Sequence, residues 1–169
     1  TGDGGYAYIS RKYEDLALKP SFELGGAYLS GDDPNSHDKV EAWDPLFSRW
    51  PWLSELYVLS MASETGIVGY WTNLVLYRAS FKLSLDPETG LELSYNYLGA
   101  NENSHIASAT IYSADGKKRG DLVQAKLSHK FSKAVDGYLL IEDFVPGNYY
   151  ADTNRDNAMF IRWELQWKI

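Results

Sequence analysis

Along residues 73–101 apolar and polar positions alternate with a period of two. Val75, Tyr77, Ala79, Phe81, Leu83 and Leu85 fall on one face, and Arg78, Ser80, Lys82, Ser84 and Asp86 fall on the other. That is the spacing of a β-strand with one greasy and one wet side. Asp86-Pro87-Glu88-Thr89-Gly90 supplies turn chemistry, after which Leu91, Leu93, Tyr95 and Tyr97 resume the apolar face against Glu92, Ser94 and Asn96. The same pattern predicts a second hairpin pairing residues 121–132 with 136–145. Its first arm sets Val123, Ala125, Leu127 and Phe131 against Gln124, Lys126, Ser128 and Lys130. Its returning arm is apolar on both faces, so its register is open there, and Glu142 is expected inward with Tyr138 and Leu140. A weaker hairpin joins residues 5–13 to 19–30, where Phe22, Leu24 and Tyr28 alternate with Ser21, Glu23 and Ala27. The chain closes on residues 159–169, with Met159, Ile161, Trp163, Leu165, Trp167 and Ile169 on one face and Arg162, Glu164, Gln166 and Lys168 on the other.

The predicted arms have the length of tilted transmembrane strands, roughly 9 to 11 residues. About seven of them follow one another, joined by short turns at one end and by long segments near 31–72, 99–120 and 147–156 at the other, the asymmetry of outer-membrane barrels. The expected fold class is therefore all-β, an antiparallel transmembrane up-and-down β-barrel forming one domain over 1–169. Bacterial single-chain barrels use an even number of strands. An odd count implies that this is the C-terminal part of a larger barrel lacking its upstream strands, unless residues 55–61 hide a further strand inside the first long segment.

Composition sharpens this reading. Thirteen Tyr and six Trp raise aromatic content to 15%, which suits strands and the aromatic girdles of a barrel at the two membrane interfaces. A mean hydropathy of −0.37 does not oppose a membrane setting, because a barrel hides half of every strand in a wet lumen. No apolar run reaches the length of a transmembrane helix. The absence of cysteine removes disulfides, thiolate metal sites and a cysteine nucleophile. A formal charge of −7 leaves no basic excess for a general nucleic-acid surface. The chain opens at Thr1-Gly2-Asp3 without a basic and apolar leader, so an export signal is expected to have been removed or to lie upstream.

Four landmarks stand in order at predicted strand ends: Gly31-Asp32-Asp33-Pro34, Trp43-Asp44-Pro45-Leu46-Phe47, Trp71-Thr72-Asn73-Leu74 and Phe144-Val145-Pro146-Gly147. Together they resemble the C-terminal portion of alginate-export-family outer-membrane porins, and they span most of the chain. The resemblance implies a monomeric barrel in the bacterial outer membrane, surrounded by lipid, through which a polysaccharide or small hydrophilic solute passes passively. That family's exporter has a strongly arginine-lined lumen. The inward positions here instead mix Arg78, Lys82, Lys126, Lys130, Arg162 and Lys168 with Glu23, Glu92, Glu142 and Glu164, so the channel is expected without a specific cargo.

This inward row is the leading candidate for a pore lining, since lumen charges set the potential that selects permeating ions. The plainer reading is that these charges pair across strands and keep the wall hydrated. Trp43, Phe47, Trp50 and Trp52 crowd the first long segment. They are expected either to fold inward and constrict the pore or to dock an envelope protein. Asp32 and Asp33, with Asp152, Asn154 and Asp156, are weak calcium candidates, because hard cations take several carboxylate and carbonyl oxygens. The latter set has D-x-N-x-D spacing, but Trp163 stands where a calcium loop needs its bidentate Glu.

His37, His105 and His129 lack metal-ligand spacing, and no G-x-S-x-G, H-E-x-x-H or phosphate-cradling glycine loop occurs. Neither an enzyme nor a cofactor is expected. Two alternatives to the porin remain. A soluble lipocalin-like binding barrel would carry its apolar face inward, and a structural or adhesive outer-membrane barrel would act through its loops.

Overall fold

A computed structural model describes residues 1–36, 38–47, 52–103 and 110–168. Seven strands form one antiparallel sheet: β1 (Gly4–Lys12), β2 (Ser21–Leu29), β3 (Leu74–Ser84), β4 (Thr89–Gly99), β5 (Lys118–Lys130), β6 (Val135–Pro146) and β7 (Ala158–Trp167). Each strand pairs with its neighbours in sequence, and the sheet is open, with β1 and β7 as its edges. The only α-helix among the described residues is α1 (Tyr57–Thr65). It occupies the stretch where a hidden strand was the alternative.

The predicted hairpins pair as their alternation requires. Lys82 lies opposite Glu92, which lies opposite Lys126, while Tyr77 lies opposite Tyr97. Short turns close one end of the sheet. Asp86 Oδ1 accepts the Glu88 amide at 2.8 Å, and Ser132 Oγ accepts the amides of Ala134 and Val135, side-chain capping that makes Asp and Ser good turn residues. The connections between β2 and β3, β4 and β5, and β6 and β7 all emerge at the opposite end.

The two faces differ as the period of two demands. The inner face carries α1 and the even-numbered positions of β3 to β7, including Leu76, Arg78, Ser94, Asn96, Gln124, Leu140 and Glu142, all buried or half-buried. The outer face is bare. It presents Phe22, Leu24, Tyr28, Tyr77, Leu93, Tyr95, Val123, Leu127, Leu139, Ile141, Met159, Ile161, Trp163 and Leu165, every one exposed. Cross-strand aromatic pairs tie this face together: Phe22 and Phe81 at 4.7 Å, Tyr77 and Tyr97 at 5.9 Å between ring centroids. The few polar residues on it cluster toward its ends. Asp121 accepts from the Tyr95 hydroxyl and from Lys118, each at 2.6 Å.

The apolar core sits at the loop end of the inner face. Tyr57, Val58 and Met61 of α1 are fully buried against Leu74, Leu76, Leu98, Leu122, Phe144, Tyr149 and Trp71. A nine-residue helix is too short to persist alone, and its first turn has one side-chain acceptor, Ser54 Oγ, which takes the Tyr57 amide at 2.8 Å. Burial of this one face stabilises it, and Gly66, at φ 73°, ends it in the left-handed region.

One register shift has a large local effect. Leu98 pairs with Gly120 but Gly99 pairs with Lys118, so Arg119 is an extra residue in β5. Strict alternation would turn Arg119 outward. The bulge turns it inward, where it is wholly buried and ion-paired with Glu64 of α1. It also donates to the Asn73 carbonyl at 3.0 Å and lies 4.3 Å from the Tyr149 ring centroid. Gly120 makes the bulge possible: a Cβ there would meet the Phe144 ring at 2.6 Å.

Candidate functional site

The even-numbered polar residues of β3 to β6 form a continuous hydrogen-bonded row across the inner face. Arg78 donates to Asn96 Oδ1 at 3.0 Å, to Gln124 Oε1 at 3.2 Å and to Glu92 at 3.4 Å. Ser94 and Asn96 donate to Gln124 Oε1, and Gln124 Nε2 donates to Glu142 Oε1 at 2.6 Å. The row ends on the long β2–β3 connection. Glu142 Oε2 accepts from Ser54 Oγ at 2.8 Å and from the Leu56 amide at 2.7 Å, and Gln124 Nε2 also reaches the Leu53 carbonyl. Glu142, 1% exposed, thus has its charge dispersed over several donors, the condition for burying a carboxylate.

Above this row lies a cavity of about 510 Å³ bounded by β1 to β6 and the 52–55 segment. Neighbouring strands stand roughly 4.8 Å apart, so a cavity reached from six strands extends across most of the sheet's width. A second cavity of about 470 Å³ lies toward the turn end, lined among others by Lys12, Lys19, Ser84 and Ser128, and shares Lys82, Glu92 and Lys126 with the first. The two form one polar trough running along the strands.

Of the predicted pore-lining residues, Arg78, Lys82, Glu92, Lys126 and Glu142 meet at the first cavity. Many are also paired: Lys82 bridges to Glu92 at 3.4 Å, and Lys126 sits 4.1 Å from the Tyr138 ring centroid. Arg162 and Glu164 lie beside the cavity on β7, bound to each other, with Arg162 also holding Glu55 of the long connection. Lys130 shares the inner face but is exposed at the turn end, away from both cavities.

The aromatic candidates separate. Trp52 borders the cavity and packs edge-on against Trp71 at 5.5 Å. Trp43 packs against the apolar core at the loop end. Phe47 stands 85% exposed, away from the trough, and Trp50 lies outside the described residues. Part of the segment therefore folds over the inner face while part of it faces outward.

The acidic loop residues act as turn caps. Asp32 accepts the Glu41 amide at 2.8 Å, and Asp33 accepts the Asn35 amide at 2.9 Å; that backbone bond holds the Asp33 carboxyl below the usual carboxylate range. Asp152 pairs with Arg155, Asn154 donates to the Thr110 carbonyl, and Asp156 is exposed. Among the described residues no group of three or more His, Asp or Glu side chains is placed to hold a metal ion. His37 and His105 lie outside the described residues, and His129 bonds Thr89 at 2.8 Å.

Alternation pointed to the charged row but passed over several cavity residues. Tyr6 and Tyr8 line the cavity from β1. Their signal was the run Gly4, Tyr6, Tyr8, Ser10 and Lys12, which shares the face of Glu23 once β1 pairs with β2. Ser54 and Glu55 carry no such signal, because they belong to an irregular segment whose docking depends on β6. Comparison with family models, with curated proteins and with solved structures finds no match to this chain.

Proposed function

We propose that this sheet is one segment of the wall of a bacterial outer-membrane β-barrel, akin to the alginate-export-like porins its landmarks resemble, and that the trough lines a passive path for polysaccharide or small hydrophilic solutes. The observation that carries this reading is the contrast between its faces. Soluble monomers rarely expose contiguous apolar patches beyond a few hundred Å². Here Leu24, Tyr77, Leu93, Val123, Ile141 and Ile161 form part of an uninterrupted bare apolar face across the sheet, and the opposite face is polar and cavity-bearing. Lipid outside and water inside satisfy both. In this reading the open β1 and β7 edges pair with further barrel strands.

In this reading the 52–56 segment, held by Glu142 and Arg162, narrows the path. The lysines at the turn end bias its ion selectivity. The charged inner face argues against a lipocalin-like barrel, whose apolar side would face inward. The exposed Leu46 and Phe47 favour an accompanying contact with an envelope protein at the loop end.

Single-channel recording, in lipid bilayers, of the complete barrel that contains this sheet tests the channel. Stepwise conductance is expected, with Lys82→Glu and Lys126→Glu each shifting reversal potentials toward cation selectivity. Absence of conductance in membranes shown to contain the protein would overturn the reading, and unchanged selectivity would assign these lysines to cross-strand pairing instead.

A further inference from the structure

Tyr6 and Tyr8 alternate along the inner face of β1, with ring centroids 6.0 Å apart and ring planes inclined at 48°. They are 72% and 40% exposed, so their rings face the cavity and do not fill the core. The neighbouring strand is built to accept one of them. Tyr8 lies opposite Gly25 on β2, and a Cβ at Gly25 would stand 2.7 Å from Tyr8 Cγ and clash with the ring at Cδ1. Gly25 thus allows the Tyr8 ring to lie over the backbone as a platform.

Glu23, Arg78 and Glu92 share the same cavity with these two rings, and each carries a flat group able to engage two adjacent polar atoms at once. A pyranose offers matching chemistry: an apolar face of C–H groups and a rim of paired hydroxyls. The cavity's volume falls within the roughly 300–1,000 Å³ range of small-molecule sites. Its charge carries no basic excess, with Arg78, Lys82 and Lys126 set against Glu23, Glu55, Glu92 and Glu142, and both Arg78 and Lys82 already bound to Glu92. Such a wall gives no net attraction for a polyanion.

We propose that the inner cavity is a binding site for a neutral oligosaccharide, with Tyr6 and Tyr8 stacking on sugar rings and Glu23, Arg78 and Glu92 bonding their hydroxyls. This inference rests on the channel reading for the route by which the sugar arrives, while the binding itself is measurable without conduction. The rim position of Trp52 provides a fluorescence reporter.

The test titrates the full chain in detergent with maltohexaose, cellohexaose and xylohexaose, and with hexagalacturonate as an anionic chain of equal length. Saturable binding of at least one neutral hexasaccharide is expected, with hexagalacturonate weaker. Tyr6→Ala and Tyr8→Ala should each weaken binding roughly three- to tenfold, the scale of one aromatic stacking contact. Tyr8→Phe should retain it, because the ring does the stacking. Circular dichroism of each variant establishes that the sheet is intact. The inference falls if no neutral hexasaccharide binds, if the anionic chain binds as tightly or more tightly, or if the folded Ala variants bind unchanged. Salt conductance of Tyr6→Ala in the complete barrel separates the two claims, since a conducting variant with lost sugar binding upholds both, and a binding but non-conducting wild-type barrel overturns only the channel.

Discussion

At the scale of single residues, Glu142 links the strand wall to the segment that covers it. Its carboxylate receives the Ser54 hydroxyl, the Leu56 amide and the Gln124 side chain, and a hydrogen bond to a buried charged group contributes about 1.5–3 kcal/mol. Glu142→Gln presents an amide NH₂ where one carboxylate oxygen stood, setting donor against donor. The substitution should lower stability by about 2–3 kcal/mol and expose the 52–56 segment to protease. Denaturant unfolding together with limited proteolysis checks this; wild-type resistance in the variant would mean that the segment is held elsewhere. Glu142 was legible in the sequence because it follows Tyr138 and Leu140 at even spacing. Arg119 was not, because its parity places it outward and only the bulge opposite Leu98 and Gly99 turns it inward. A bulge depends on strand pairing and has no signature in a single strand's alternation.

At the scale of elements, the hairpins were readable and the helix was not. Below the loop end, where Leu74, Leu76, Leu98 and Leu122 join the core, each of β3, β4 and β5 keeps one apolar and one polar face, and that period survives any error in strand ends. Residues 57–65 contain aromatic and β-branched side chains compatible with either structure. Their helical state follows from burial of Tyr57, Val58 and Met61 against several strands. The cluster around α1 also carries a pH dependence. Burial pushes the phenols of Tyr57, Tyr149 and Tyr150 up from their ordinary value. A raised folded-state value means that their contribution is complete below the unfolded tyrosine pKa of about 10 and is lost as pH rises above it. The loop-end cap should therefore loosen only in strong alkali. Phenolate absorbance during titration should show a late cooperative phase accompanying loss of the cap. A single phase near pH 10 would contradict the buried placement.

At the scale of the whole molecule, the sheet order and the two-ended arrangement of turns and long connections were legible because every connection joins sequence neighbours. The cap over the inner face was only half legible: the crowd of aromatic residues pointed inward for Trp52, yet Phe47 faces out. The central claim concerns the outer face, where Met159, Ile161, Trp163 and Leu165 are all exposed and lipid is the proposed neighbour. The chain has no cysteine, so single cysteines introduced along β7 carry nitroxide labels without background. In lipid vesicles, labels at 159, 161, 163 and 165 should collide mainly with dissolved oxygen, and labels at 164 and 166 mainly with a water-soluble nickel chelate, giving a period of two. Equal access of the chelate to the odd-numbered positions would place that face in water and contradict the account.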